Sequence, residues 1–190
     1  MTRHLVIQLA RFGDLIQTKR LILSLERGGA DFVVSCTNTR HEVADEMARQ
    51  VSLPRLHIAD EAAAELKKAG MDKVALLGTA YTMEQDFYKK RLQDAGISVL
   101  IPEADERREV SRVIYEELCL GLLRDESRRF YRDLLKRMQE RAAQAAILGC
   151  TEIGLLIRQA DSPLPLFDTA HIHARAAALR SLGFGSQSTK

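Results

Sequence analysis

No apolar run in this 190-residue chain approaches the ~20 residues that a membrane-spanning helix needs. Neither sign of charge is in excess. The 28 basic and 26 acidic side chains are interspersed and leave a formal net charge of +2, so no nucleic-acid footprint stands out. Cysteine is scarce. Cys36, Cys119 and Cys150 have no metal-ligand spacing and form no disulfide ladder, which points to a reducing, cytoplasmic setting and no metal. A leader is not expected, because Leu5-Val6-Ile7-Gln8-Leu9 is broken at once by Arg11. What remains is an ordinary globular composition, 46% hydrophobic and 28% charged, in a length that suits one large domain or two small ones.

The hydrophobic pattern alternates short apolar runs with amphipathic segments. Strands are expected over 5–9, 31–35, 73–79, 97–101, 145–149 and 164–168, with an edge strand or extended connection over 53–58, which contains Pro54. Helices are expected over 15–27, 42–50, 61–69, 82–94, 107–118, 126–141 and 172–182. Gly70 supplies a stop, and Thr82 to Gln85 has capping-box spacing. The βαβα order predicts an α/β fold with parallel sheets. The tail from Gly183 to Lys190 is polar and expected to fray.

The chemistry concentrates in Ala145-Ala146-Ile147-Leu148-Gly149-Cys150-Thr151-Glu152-Ile153. The apolar run is too short for a helix and reads as a buried parallel strand. Its carboxyl end presents a thiol, a hydroxyl and a carboxylate in succession, and ligands of open α/β sheets bind at carboxyl ends. A similar stretch, Glu26 to Thr37, lines up without a gap on Glu140 to Thr151, 114 residues apart, and pairs Cys36 with Cys150. Two half-domains related by duplication would bring two polar strand ends into one cleft.

Gly78-Thr79-Ala80-Tyr81-Thr82-Met83, Gly149-Cys150-Thr151-Glu152, Asn38-Thr39-Arg40-His41, Ile101-Pro102-Glu103-Ala104-Asp105 and Phe167-Asp168-Thr169 together resemble the aspartate/glutamate racemase family. The resemblance runs from about Glu26 to about Leu182. It implies two facing half-domains, a small amino-acid substrate, no cofactor, and removal of the α-proton by one thiolate with return from the opposite face. The family pattern is base-Asn-Thr, with cysteine as the base. Counted from Asn38-Thr39, the base position here is Thr37 rather than Cys36. On a strand end one residue turns the side chain to the other face, so the repeat and the motif cannot both hold. The Asn-Thr anchor is preferred, leaving Cys36 as a buried apolar side chain. Catalysis would then be asymmetric, with Cys150 the working thiol, Thr37 a weak partner and one enantiomer favoured.

On this resemblance Asn38, Thr39, Thr79, Thr82, Thr151 and Glu152 would line the substrate. Asn38 and Thr39 could instead be turn formers, and Thr79 and Thr82 a strand end and a helix cap. Glu152 would either orient Cys150 or meet the substrate ammonium. Cys119 is expected to pack and His41, His171 and His173 to make structural or polar contacts; Arg124, Arg128 and Arg129 could steer an acidic substrate, but a solvated helix face is the expectation. The family's opening strand and glycine-rich loop are not recognisable. Residues 5–18 instead resemble the start of heptosyltransferase-like glycosyltransferases. The expected organisation is therefore a first, truncated half-domain of residues 1–69 with 167–190, and a second of residues 70–166. A shortened first sheet would expose apolar surface that a second copy could cover, giving a homodimer. The alternative to an active racemase is a binding or scaffold protein that keeps the cleft without turnover.

Overall fold

The computed structural model describes residues 5–7, 26–35 and 52–183. Strands β1 (Leu5–Ile7), β2 (Val33–Ser35) and β3 (Arg55–Leu56) form one sheet in that order. A second sheet holds β4 (Lys73–Leu77), β5 (Ser98–Leu100), β6 (Ala145–Leu148) and β7 (Leu166–Asp168) in the order β5-β4-β6-β7. Every pairing is parallel. The α/β class and its parallel sheets are as expected. The helices expected over 15–27 and 42–50 lie outside the described residues, apart from the helical Glu26 and Arg27.

The larger sheet has both faces covered, which is why β4 and β6 read as continuous apolar runs. Val74, Ala75, Leu76 and Leu77 stand opposite Ala145, Ala146, Ile147 and Leu148, and all eight are buried. Helices α1 (Ile58–Lys68), α2 (Ala80–Glu84), α3 (Asp86–Asp94), α4 (Ala104–Glu116), α5 (Asp125–Glu140), α6 (Ile153–Leu156) and α7 (Thr169–Ser181) surround the two sheets. Helix α5 shows the principle. Tyr131, Leu134, Leu135 and Met138 recur at helical spacing and are buried, while Arg132, Asp133 and Lys136 face solvent.

The two sheets are tied by α1 and α7. Ile58, Ala59, Ala63 and Leu66 of α1 enter the core of the larger sheet. Helix α7 starts at the end of β7 and turns Ala176 and Ala177 against the small cluster of Phe32, Val34 and Leu56. His173 of α7 is buried and sits 3.1 Å from the Leu56 carbonyl, fastening the helix to the edge strand β3. That is the polar contact expected of this histidine; His171, two residues earlier, is exposed.

Most helices stop by one device. Gly70, Gly96 and Gly183 take positive φ and donate their N–H groups to the carbonyls of Lys67, Gln93 and Arg180. The same turn closes both copies of the sequence repeat. It falls at Gly29, which donates to Glu26, and at Ala142 (φ 66°), which donates to Gln139. These positions are 113 residues apart rather than 114. At these turns the gapless repeat is therefore one residue out of step with the backbone.

Ala142 is the one non-glycine residue with positive φ among the described residues. A Cβ in the left-handed region costs ~1–2 kcal/mol, partly offset by the larger backbone entropy that glycine gives up. Ala142→Gly is expected to stabilise the fold by about 0.5–1 kcal/mol in chemical denaturation. A lower midpoint would show that the turn is not strained by alanine.

Candidate active site

Strand order places the site. Between β4 and β6 the connections diverge, one leading to β5 on one side and the other to β7 on the opposite side. Such a switch point opens a crevice at the carboxyl ends of the two central strands. Those ends are Leu77-Gly78-Thr79 and Leu148-Gly149-Cys150.

The two ends approach unusually closely. The Gly149 N–H donates to the Leu77 carbonyl at 2.6 Å. A Cβ on Gly149 would stand 3.0 Å from that oxygen and 3.1 Å from Leu76 Cδ1, and one on Gly78 would stand 3.3 Å from the Gly149 carbonyl. Only small residues allow this contact, so the glycines before Thr79 and Cys150 are steric requirements of the crevice.

Beyond Gly78, Thr79 rather than Thr82 is the helix cap. The Thr79 hydroxyl accepts from the Thr82 N–H at 3.3 Å and lies 3.1 Å from the Thr82 hydroxyl, at the start of α2. The expected cap at Thr82 is thus one turn late: α2 is a separate short helix, and α3 starts after Gln85. Both threonines are buried, and the Thr82 methyl fills the space above the two glycines.

Beyond Gly149 the chain presents its reactive groups. Cys150 is half-buried, and its thiol donates to Glu152 Oε2 at 2.9 Å. The Thr151 hydroxyl donates to the same oxygen at 2.7 Å. Burial pushes the Cys150 thiol well above the ordinary cysteine range, and the bond to Glu152 and that residue's charge add to it. Burial also works to raise the Glu152 carboxyl, but the bonds from Cys150 and Thr151 outweigh it and hold it below its ordinary value. At neutral pH the pair is therefore a thiol and a carboxylate sharing one proton.

Neighbouring elements brace this pair. The Thr169 hydroxyl, fully buried, donates to the Leu148 carbonyl at 2.9 Å, and the Asp168 carboxylate caps α7 through the Ala170 and His171 N–H groups. A Cβ on Gly154 would lie 2.7 Å from Asp168 Oδ2, so glycine there lets α6 nestle against the end of β7. Sequence reasoning matched Phe167-Asp168-Thr169 to the family without giving it a task; its task is to seat the loop that carries the thiol. Tyr131 of α5 was not singled out at all, because it sits in an ordinary apolar stripe. Its hydroxyl is buried without a partner, and burial together with the charge of a Cys150 thiolate would hold that phenol protonated.

Two expectations change. Cys119 lies in the 3-10 turn Leu118–Leu120 and is exposed instead of packed; partial desolvation and the charge of Glu152 raise its thiol. Arg128 is not on a solvated face: it donates to the Leu156 carbonyl and lies 3.4 Å from Asp161, fastening α5 to α6. Arg129 is exposed, as expected. Thr37, Asn38 and Thr39, together with Cys36 and His41, lie outside the described residues. Among the described residues no group of histidine, cysteine and acidic side chains could hold a metal ion, and no helix is long and apolar enough to cross a membrane.

The pairing predicts opposite effects on ionisation and on chemistry. Glu152→Gln removes the charge that raises Cys150, so its alkylation by iodoacetamide at pH 7–8 is expected to quicken about tenfold, read by peptide mapping. Wild-type alkylation should climb with pH through 9 without a plateau. A slower reaction in the variant would contradict the charge coupling.

Comparison with known proteins agrees with this geometry. The model of the Asp/Glu/Hydantoin racemase family matches residues 11–177, reaching back well into the opening segment that resembled glycosyltransferases. A Yersinia pestis protein solved as a candidate Asp/Glu racemase is 47% identical, covers 90% of this chain and 76% of its own, and superposes with a TM-score of 0.83. An aspartate racemase homologue from Pyrococcus horikoshii OT3 is 35% identical over 91% of this chain and 81% of its own, with a TM-score of 0.81. The broad specificity amino-acid racemase RacX of Bacillus subtilis (strain 168) is 24% identical over 167 residues, 86% of this chain and 70% of its own. With the thiol–carboxylate pair standing at the switch point of a parallel sheet, these matches place the chain in the Asp/Glu/Hydantoin racemase family.

Proposed function

We propose that the chain is a cofactor-independent amino-acid racemase, with aspartate and glutamate the substrates its resemblance implies, in which Cys150 acts on one face of the α-carbon and Thr37 on the other. The observation that carries this reading is the 2.9 Å bond from the Cys150 thiol to Glu152 at the carboxyl end of β6. A base for so weak an acid as an α-proton has to be close, desolvated and aimed.

The proton balance follows from that bond. When substrate enters, its ammonium group adds positive charge beside the pair and favours the thiolate. The thiol proton passes to Glu152. The Cα–H bond then breaks, its proton goes to the Cys150 sulfur, and its electron pair spreads into the substrate carboxylate. The Thr37 hydroxyl then gives its proton to the opposite face, completing inversion; Cys150 is by now a thiol again, and the proton held on Glu152 passes through solvent to the Thr37 oxygen, restoring the resting state. Thr37 is a weak proton donor, so inversion would be slow and biased towards one enantiomer. Asn38, Thr39 and Thr151 would hold the substrate, while Thr79 and Thr82 shape the wall. The half-domains of residues 1–69 with 167–190 and of residues 70–166 would then face each other across the cleft, and a homodimer would cover the shorter sheet.

A second reading is favoured by one specific feature: burial and the adjacent Glu152 carboxylate both raise the Cys150 thiol. A cleft unable to ionise it would bind an amino acid without turning it over. The deciding experiment is α-proton exchange in deuterated water, followed by NMR on both enantiomers of a panel of amino acids that includes aspartate and glutamate. Exchange by wild type, lost at least about a hundredfold in Cys150→Ala, is the expected outcome. A wild-type protein that binds an amino acid but exchanges nothing would establish the second reading instead.

A further inference from the structure

Helix α2 spans only the five residues Ala80–Glu84, too few to hold a helical shape unaided. Its seat is supplied by α4, which packs against it. The first N–H of a helix has no partner inside the helix. That of Ala80 donates to the Ser111 hydroxyl at 2.6 Å. At the other end, Arg107 Nε donates to Glu84 Oε1 at 2.9 Å, and Arg107 Nη1 donates to the Pro102 carbonyl at 2.7 Å. The Lys89 ammonium adds a bond to the Glu84 carbonyl at 2.7 Å. Arg107 and Ser111 stand four residues apart on α4, and so share one face. Ala80 and Glu84 are also four residues apart, a rise of ~6 Å on either helix, so the two side chains match α2 end to end.

This seat reaches the strand end that carries the thiol through close contacts. Thr79 caps α2 by accepting from the Thr82 N–H at 3.3 Å. The Thr82 methyl lies 3.3 Å from where a Cβ on Gly78 would stand. It lies 3.5 Å from where one on Gly149, the residue before Cys150, would stand. Any displacement of α2 therefore moves Thr82 against the glycine pair on which the crevice is built. Ser111 is half-buried, with Val110, Val113 and Ile114 of the same helix buried around it. An alanine would fill that place; the hydroxyl is what the Ala80 N–H requires.

Resting on the racemase reading, we propose that Ser111 and Arg107 are positioning residues for the reaction, holding α2 at both ends and thereby fixing Thr79 and Thr82 against the strand end that carries Cys150. Neither touches the reacting atoms. Each acts through the backbone or side chain of α2, and the chemistry at Cys150 is left unchanged.

The test is α-proton exchange with both enantiomers of aspartate, glutamate, alanine, leucine and methionine. It is run on wild type, Ser111→Ala, Ser111→Thr, Thr82→Val and the double variant Ser111→Ala/Thr82→Val, each shown folded by circular dichroism. For the substrate that wild type exchanges fastest, Ser111→Ala should lower kcat about tenfold and move KM less than about threefold, because a displaced orienting group costs rate more than binding. Ser111→Thr keeps the hydroxyl and should stay within about threefold of wild type. The double variant should be several-fold faster than the product of the two single losses, because Ser111 acts through the helix that carries Thr82. Should Ser111→Ala not fold, Arg107→Met, which frees the other end of α2, carries the same expectation. A Ser111→Ala or Arg107→Met variant as active as wild type would overturn the inference and leave the racemase standing. So would a Ser111→Thr variant as slow as Ser111→Ala, or losses that multiply in the double variant. Exchange of none of these amino acids by wild type would overturn both.

Discussion

The crevice depends on two backbones being allowed to touch. Where β4 and β6 end, the Gly149 N–H reaches the Leu77 carbonyl at 2.6 Å, and a Cβ on Gly149 would stand only 3.0 Å from that same oxygen. A methyl group at either glycine would have to push against backbone oxygen, which does not yield as a flexible side-chain tip would. The register of the central pair, the seating of Thr82 over the glycines and the direction in which Cys150 leaves the sheet all follow from that contact. The wider fold supports it from outside: Thr169 takes up the Leu148 carbonyl, and Asp168 caps α7 while filling the space that Gly154 leaves.

On this scaffold the electrostatics are those of a resting acid. Partial burial and an adjacent carboxylate both oppose ionisation of Cys150, so the protein holds its thiol protonated and holds a proton acceptor against it. That arrangement protects the sulfur from adventitious chemistry when the site is empty. It also makes ionisation conditional on positive charge arriving with the substrate.

Much of this was legible in the sequence, and the reason differs by element. The strands of the larger sheet announce themselves because a strand covered on both faces must be apolar throughout, and Lys73 to Leu77 and Ala145 to Leu148 are such runs. Cys150 with Thr151 and Glu152 was readable as a motif because a thiol, a hydroxyl and a carboxylate follow one another directly after a buried apolar run. Helix starts were less legible. Thr79 and Thr82 carry identical hydroxyls three residues apart, and only backbone geometry reveals that the first is the cap. Nor could the repeat's true offset be read, because Glu-Arg and Cys-Thr match at 114 while the helix-stopping turns stand 113 apart.

The central claim is that Cys150 is a neutral thiol hydrogen-bonded to an ionised Glu152. Its most direct test is a pH titration of the protein carrying 13Cβ-labelled cysteine, with the Cys150 resonance assigned by its loss in Cys150→Ala. The account predicts that Cys150 keeps the chemical shift of a protonated thiol at pH 9, the ordinary value of a free cysteine. It also predicts that Glu152→Gln moves the titration to lower pH. A Cys150 shift already typical of a thiolate at pH 7 would contradict the account and place the resting proton elsewhere in the crevice.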